Sequence, residues 1–223
     1  MDKLCISVAE VDFEECMMII KSHKMQDHKL LELRLDDCDF DKEQVKHLFS
    51  YSVDIVATCR PGSKTDEQRK TLLMNCIEAG AAYIDIEIDS AEDYKKTLIE
   101  AAKAKNCKVI LSYHNEEKTP DTNELMTIIQ NCYDQKADIA KIACMANSEA
   151  ECARTLSLYS RVNDKFCEGK LLAIAMGKIG RISRIAAPVL GAPFMYAAVT
   201  FGSETALGQF DLRKMKQIAE LMK

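Results

Sequence analysis

One lysine in this chain stands where a lysine is costly. Lys141 interrupts the apolar run Ile139-Ala140-Lys141-Ile142-Ala143. Burying a charged amine there should pull its pKa down, the more so if Arg34 and Arg60 gather near it. A neutral amine at working pH is what attack on a carbonyl carbon requires. Such a nucleophile needs a base within reach of the carbon next to that carbonyl. His114, closing the run Val109-Ile110-Leu111-Ser112-Tyr113-His114, is of the right type and shares a strand face with Ser112.

Other polar residues fall at the ends of apolar runs. Glu32 and Arg34 share one face, Asp85 and Glu87 another, Arg60 closes a third run and Arg184 follows a later one. Arginine's planar fork fixes carboxylates and hydroxyls better than lysine does, so a small, oxygen-rich anion fits as ligand. Asp85 and Glu87 read as a structural network, and Met176 taken alone reads as core. His23, His28 and His47 fall on a helix, near a helix end or in a loop, where exposure is expected. Glu116-Glu117-Lys118 reads as a solvated loop. The ten cysteines include no Cys-x-x-Cys pair and lie mostly in apolar stretches. They are therefore expected to be reduced and buried rather than zinc ligands or disulfides.

Two alternating periodicities must position these groups. Strand-like runs occupy 4–9, 30–35, 53–59, 81–88, 108–114, 137–144, 170–176 and 195–201. Between them lie helical stripes: Phe13, Cys16, Met17 and Ile20, then Leu125, Ile128, Ile129 and Cys132 after the start signal Pro120-Asp121-Thr122. A third helix opens near Thr65-Asp66 and closes at Gly80, and the last carries Leu212, Met215, Ile218, Ala219 and Met222. Eight strand–helix repeats predict a compact TIM-type (β/α)₈ barrel, a single α/β domain over 1–223, with its reacting groups at the carboxyl ends of strands. An open doubly wound sheet would carry a Gly-rich first turn, which this chain lacks. The polar strand-end residues would then converge on one rim.

The formal net charge of −5 offers no basic stripe for nucleic acid. No apolar run approaches the roughly 20 residues needed to span a bilayer. The start of the chain, Met1-Asp2-Lys3 and a short broken apolar run, lacks the length of a signal segment. A cytoplasmic location is expected.

Six segments together resemble type I 3-dehydroquinate dehydratase, the Schiff-base enzyme of the shikimate pathway, over essentially the whole chain. They are Glu32-Leu33-Arg34-Leu35-Asp36, Arg60, Ser112-Tyr113-His114-Asn115 with Thr119-Pro120, Asp138 to Ala143, Met176 to Arg184, and Thr205-Ala206-Leu207-Gly208-Gln209. The resemblance implies that Lys141 forms an iminium with the ketone of 3-dehydroquinate and that His114 moves the proton. It implies Arg184 as carboxylate clamp, and Glu32, Arg34 and Arg60 as holders of ring hydroxyls. Gln209 and the Thr205–Ala206 loop would close over the substrate, and Ser7 and Met176 would line the pocket. It implies no metal, no organic cofactor and a homodimer. Two positions depart from the family's pattern. Lys64 stands where many relatives carry a glutamate that helps orient the histidine, so that either Asp66 or Glu67 substitutes or His114 is oriented some other way, and Leu207 stands where relatives usually carry a lid proline.

Other functions remain open beside this one. A class I aldolase or transaldolase-like barrel also uses a strand lysine, but would want a Gly-rich phosphate loop. A metal-dependent hydrolase would want paired histidines on the first strand, which offers only Cys5 and Ser7. A metabolite-binding barrel would have no need of a nucleophile beside a base.

Overall fold

Each of the eight strand-like runs becomes a strand and each is followed by a helix. The computed structural model describes residues 4–10, 12–25 and 28–221. The chain runs β1 (Leu4–Val8), α1 (Phe13–Met25), β2 (Leu30–Arg34), α2 (Lys42–Leu48), β3 (Asp54–Thr58), α3 (Asp66–Glu78), β4 (Tyr83–Glu87) and α4 (Glu92–Ala104). It continues β5 (Lys108–Asn115), α5 (Thr122–Asp134), β6 (Ile139–Met145), α6 (Glu149–Phe166), β7 (Leu171–Met176), α7 (Gly177–Ala186), β8 (Met195–Ala198) and α8 (Leu212–Leu221). The strands pair in the order β7-β6-β5-β4-β3-β2-β1-β8. Alternation of this kind, with each strand beside its predecessor, is the (β/α)₈ topology.

Helix starts follow from local chemistry. Asp41 and Thr65 each accept from the backbone three residues on, while Gln44 and Gln68 reach back to complete capping boxes. Asp121 caps α5 by accepting from the Asn123 and Glu124 amides. The expected stripes are buried at Cys16 and Ile20, at Leu125, Ile129 and Cys132, and at Leu212, Met215 and Ala219. Met222 and the first three residues lie outside the described residues.

Two expectations are corrected. β8 ends at Ala198 rather than 201, because Thr200 and Ser203 close a turn: the Thr200 amide donates to Ser203 Oγ, and the Ser203 amide to the Thr200 carbonyl. His23 is buried, not exposed, and meets His28 edge-on at 5.1 Å between ring centroids.

The chain forms two compact units. One is Ile6–Ile110; the other runs from Leu111 onward with the start of β1. In the first, β2, β3 and β4 pair in parallel, and the register places Arg34, Thr58 and Asp85 in one row. In the second, β6 pairs with β7 in parallel, Lys141 opposite Leu172 and Met145 opposite Met176.

Candidate active site

In the unit Ile6–Ile110 the polar strand-end residues hold one another. Glu32 is buried on β2, and both its carboxylate oxygens accept from hydroxyls. Ser7 Oγ donates to Oε2 at 2.7 Å and Thr58 Oγ1 to Oε1 at 3.0 Å. A buried carboxylate held this way keeps a fixed aim. Arg60, just past β3, lies against β4: Nη1 donates to Asp85 Oδ1 at 2.9 Å and to Glu87 Oε1 at 2.7 Å, and Nη2 to Asp85 Oδ2 at 2.6 Å. Burial works to lower its pKa, but Asp85 and Glu87 outweigh burial and hold the guanidinium charged beyond the usual arginine range. Arg34 turns to Asp36, donating through Nε at 2.8 Å and through Nη2. Asp36 also accepts from the Arg60 amide, tying the ends of β2 and β3 together.

The unit from Leu111 onward carries the lysine and the histidine. Lys141 is the third residue of β6, only 5 % exposed among the buried neighbours Ile139, Ala140, Ile142 and Ala143. Its Nζ lies over the ring of Tyr196 from β8, 4.7 Å from the centroid. His114 is half-buried near the end of β5, on the face of buried Ser112. Met176 ends β7 buried, and α7 begins at the next residue. Arg184 on α7 is 1 % exposed. Its Nη2 donates to the Leu207 carbonyl at 3.1 Å, Nε has no hydrogen-bond partner, and among the described residues no carboxylate pairs with it. Burial first, and the nearby Arg181 second, pull its pKa down to about 10.

The segment after β8 is folded on itself. Gln209, buried, accepts through Oε1 from the Thr205 backbone N–H at 2.8 Å and from Thr205 Oγ1 at 3.1 Å, and its backbone N–H donates to the Ala206 carbonyl. The Leu207 carbonyl accepts from the Gly177 amide as well as from Arg184. Gly208 makes this approach possible: its φ is +80°, and a Cβ there would meet the Gly177 oxygen at 2.5 Å.

Ser7 and Glu32 are thus brought together, while Arg34 and Arg60 are held by carboxylates that the family pattern did not name as their partners. Asp66 and Glu67, the suggested substitutes for a glutamate at Lys64, pair with Arg69 and Lys70, and Lys64 pairs with Asp39. Sequence reasoning missed Thr58 and Tyr196. Thr58 carried a signal, a hydroxyl in an apolar strand two residues before Arg60 and so on its face; Tyr196 was hidden inside a run that reads as plain strand. Among the described residues no group of three or more His, Cys, Asp or Glu side chains could hold a metal ion. The chemistry these residues offer is a buried amine, an imidazole at a strand end and a buried guanidinium without a carboxylate.

The family model described as Type I 3-dehydroquinase matches residues 4–223. The chain is 32% identical over 222 residues to a 3-dehydroquinate dehydratase of Desulfotalea psychrophila, covering 97% of this chain and 96% of that one. It is 31% identical over 225 residues to a 3-dehydroquinate dehydratase of Methanococcus maripaludis, covering 98% and 99%. Among solved structures, a type I 3-dehydroquinate dehydratase from Clostridium difficile, with covalently modified comenic acid, superposes with a TM-score of 0.88 at 21% identity. That match covers 99% of this chain and 92% of the other, and it shows the barrel fold. A 3-dehydroquinate dehydratase from Aquifex aeolicus superposes with a TM-score of 0.80 at 26% identity, covering 98% of each chain.

Proposed function

The chain belongs to the type I 3-dehydroquinase family, and on that footing we propose that it converts 3-dehydroquinate to 3-dehydroshikimate and water through an imine on Lys141. The observation that carries this reading is the amine itself, a single lysine buried to 5 % exposure in the apolar strand β6. Nothing about packing calls for a lysine there; a carbonyl substrate does.

In this reading Lys141 Nζ attacks the C3 ketone, the carbonyl oxygen leaves as water, and the resulting iminium acidifies the neighbouring C2–H. His114 takes that proton and returns one to the C1 hydroxyl as it departs. It then assists hydrolysis of the imine, which frees the product and restores Lys141. The lysine supplies the electron sink, so the reaction needs neither metal nor organic cofactor. Arg184 receives the substrate carboxylate; its lack of a carboxylate partner among the described residues supports that role. Glu32, Arg34 and Arg60 hold ring hydroxyls, Ser7 and Met176 line the pocket, and Thr205, Ala206 and Gln209 close over the substrate. One catalytic domain over 1–223, a homodimer and a cytoplasmic location belong to the same reading; no described helix is long and apolar enough to cross a membrane.

Borohydride trapping with 3-dehydroquinate, followed by peptide mass spectrometry, tests it. The expected result is a ligand-sized mass increment on the peptide containing Lys141, absent from Lys141→Ala. Water loss from the substrate without any adduct would remove Lys141 as nucleophile. No adduct and no turnover would point instead to an aldolase-like substrate or a binding protein.

A further inference from the structure

We infer that Tyr196 is a catalytic residue of the imine step, its ring face stabilising the positive charge that forms on Lys141 Nζ. The inference rests on the imine reading above and adds to it a residue that the family motifs in this sequence do not include. Its basis is the distance of 4.7 Å between Nζ and the ring centroid, within the range in which a cation is held by an aromatic face.

The chemistry creates a need for such a partner. The Nζ lone pair forms the bond to the ketone carbon, giving a carbinolamine. Its oxygen then departs as water, taking up one proton that leaves the nitrogen and one supplied by a general acid. What remains is C=N⁺–H, a cation centred on Nζ. A resting ammonium can shed its charge by losing a proton, but the iminium must keep its charge for as long as it works as an electron sink. Lys141 and Tyr196 are both buried, as are Ile139, Ala140, Ile142 and Ala143 on the same strand, so bulk water gives that charge little help. An aromatic face attracts a cation more strongly when both are desolvated.

The ring is also held in place. Tyr196 sits between the buried residues Met195 and Ala197 on β8, and Phe194 packs edge-on against it, with centroids 5.5 Å apart and planes at 85°. That contact limits rotation of the ring, so the face turned to Nζ is set before substrate arrives. Such preorganisation makes an electrostatic contact effective, because little reorganises as charge develops. The face acts through its π-electrons, so a phenylalanine ring should serve nearly as well as tyrosine.

The test replaces Tyr196 with phenylalanine, with leucine, and with a series of singly, doubly and triply fluorinated phenylalanines. Fluorination drains the ring face of negative charge while nearly keeping its shape. The readouts are kcat, KM and the amount of borohydride-trapped adduct on Lys141 at saturating 3-dehydroquinate. Tyr196→Phe is expected to stay within about twofold of the parent. Each added fluorine should lower trapped adduct and kcat stepwise, and Tyr196→Leu should lower both about tenfold while KM moves far less. A flat fluorine series, or leucine matching phenylalanine, would overturn the inference; if Tyr196→Leu fails to fold, the near-isosteric fluorine series still decides. A parent protein that forms no adduct is a separate result, which sinks the imine reading and this inference with it.

Discussion

Arg184 and Arg60 look alike in sequence, each an arginine following a strand, yet their surroundings are opposite in charge balance. Arg60 is pinned by Asp85 and Glu87, so its charge is balanced within its own unit. Arg184 is the bulkiest of the fully buried side chains among the described residues, has an unsatisfied Nε, and spends one donor on a backbone carbonyl. A buried cation without a counter-charge costs stability, and an anionic ligand relieves that cost. Arg184→Leu is therefore expected to melt no lower than the parent without ligand, while KM for 3-dehydroquinate rises about 30-fold or more. A large loss of stability would show that the guanidinium is structural. The pH dependence has a definite sign. The folded pKa is drawn down to about 10, so the protein without ligand releases this proton sooner than an unfolded chain does. Binding of a carboxylate ligand should hold steady below that pH and weaken as pH rises through about 10, as calorimetric titration would reveal. Spacing alone presents the candidate arginines without separating them; only the family resemblance gives them different roles. The difference lies in partners brought from β4 and from the loop after β8, and spacing along the chain does not encode those.

At the scale of elements, the junction of β7 and α7 decides whether Arg184 is aimed at all. The helix starts with no connecting residue, since β7 ends at Met176 and α7 begins at Gly177. It is stitched back onto the strand by Ser183, whose Oγ accepts from the Ala175 amide at 3.0 Å and donates to the Ala175 carbonyl at 3.3 Å. Gly180 lets the two meet: a Cβ there would lie 2.2 Å from the Ala175 oxygen and 2.4 Å from its carbonyl carbon. Both obstructing atoms are backbone, so no side chain can swing aside. Gly180→Ala should cost about 3 kcal/mol in urea unfolding and raise KM by displacing Arg184 one turn further on. A loss under about 1 kcal/mol would mean that α7 slides without penalty. The same scale shows what patterning could and could not reveal. All eight strands were legible because β-branched and apolar runs alternate with stripes of helical spacing. β8 read three residues too long because Val199, Thr200 and Phe201 continue a strand-like composition, whereas Ser203 ends the strand with a side-chain hydrogen bond. His23 falls three residues after Ile20, on the stripe that α1 buries, so the helical spacing outweighs the histidine's polarity there.

Across the whole molecule the thiols are made inert. Nine of the ten free cysteines are buried, and only Cys167 is exposed. Burial is the first cause that pushes the thiols of Cys16 and Cys38 up to about 12 and that of Cys59 to about 11; neighbouring carboxylates and thiols add to it. The nucleophile in thiol chemistry is the thiolate, so a raised pKa and a closed core both suppress reaction. Small, apolar and slightly polarisable, these cysteines do the packing that alanine or valine would do elsewhere, and the spacing without close pairs already favoured that reading. Cys167 stands apart: it follows the end of α6 with φ +88° and an open side chain. A thiol-reactive chromophore should therefore count one sulfur quickly in the native protein and ten after unfolding. Blocking Cys167 should leave dehydratase activity intact, since none of the catalytic assignments involves it. The remaining nine should appear slowly, at rates set by opening of the elements that cover them, so their kinetics report local and global stability. Two or more fast thiols in the native protein would contradict the burial of the other nine, and peptide mapping of the labelled positions would identify which element had opened.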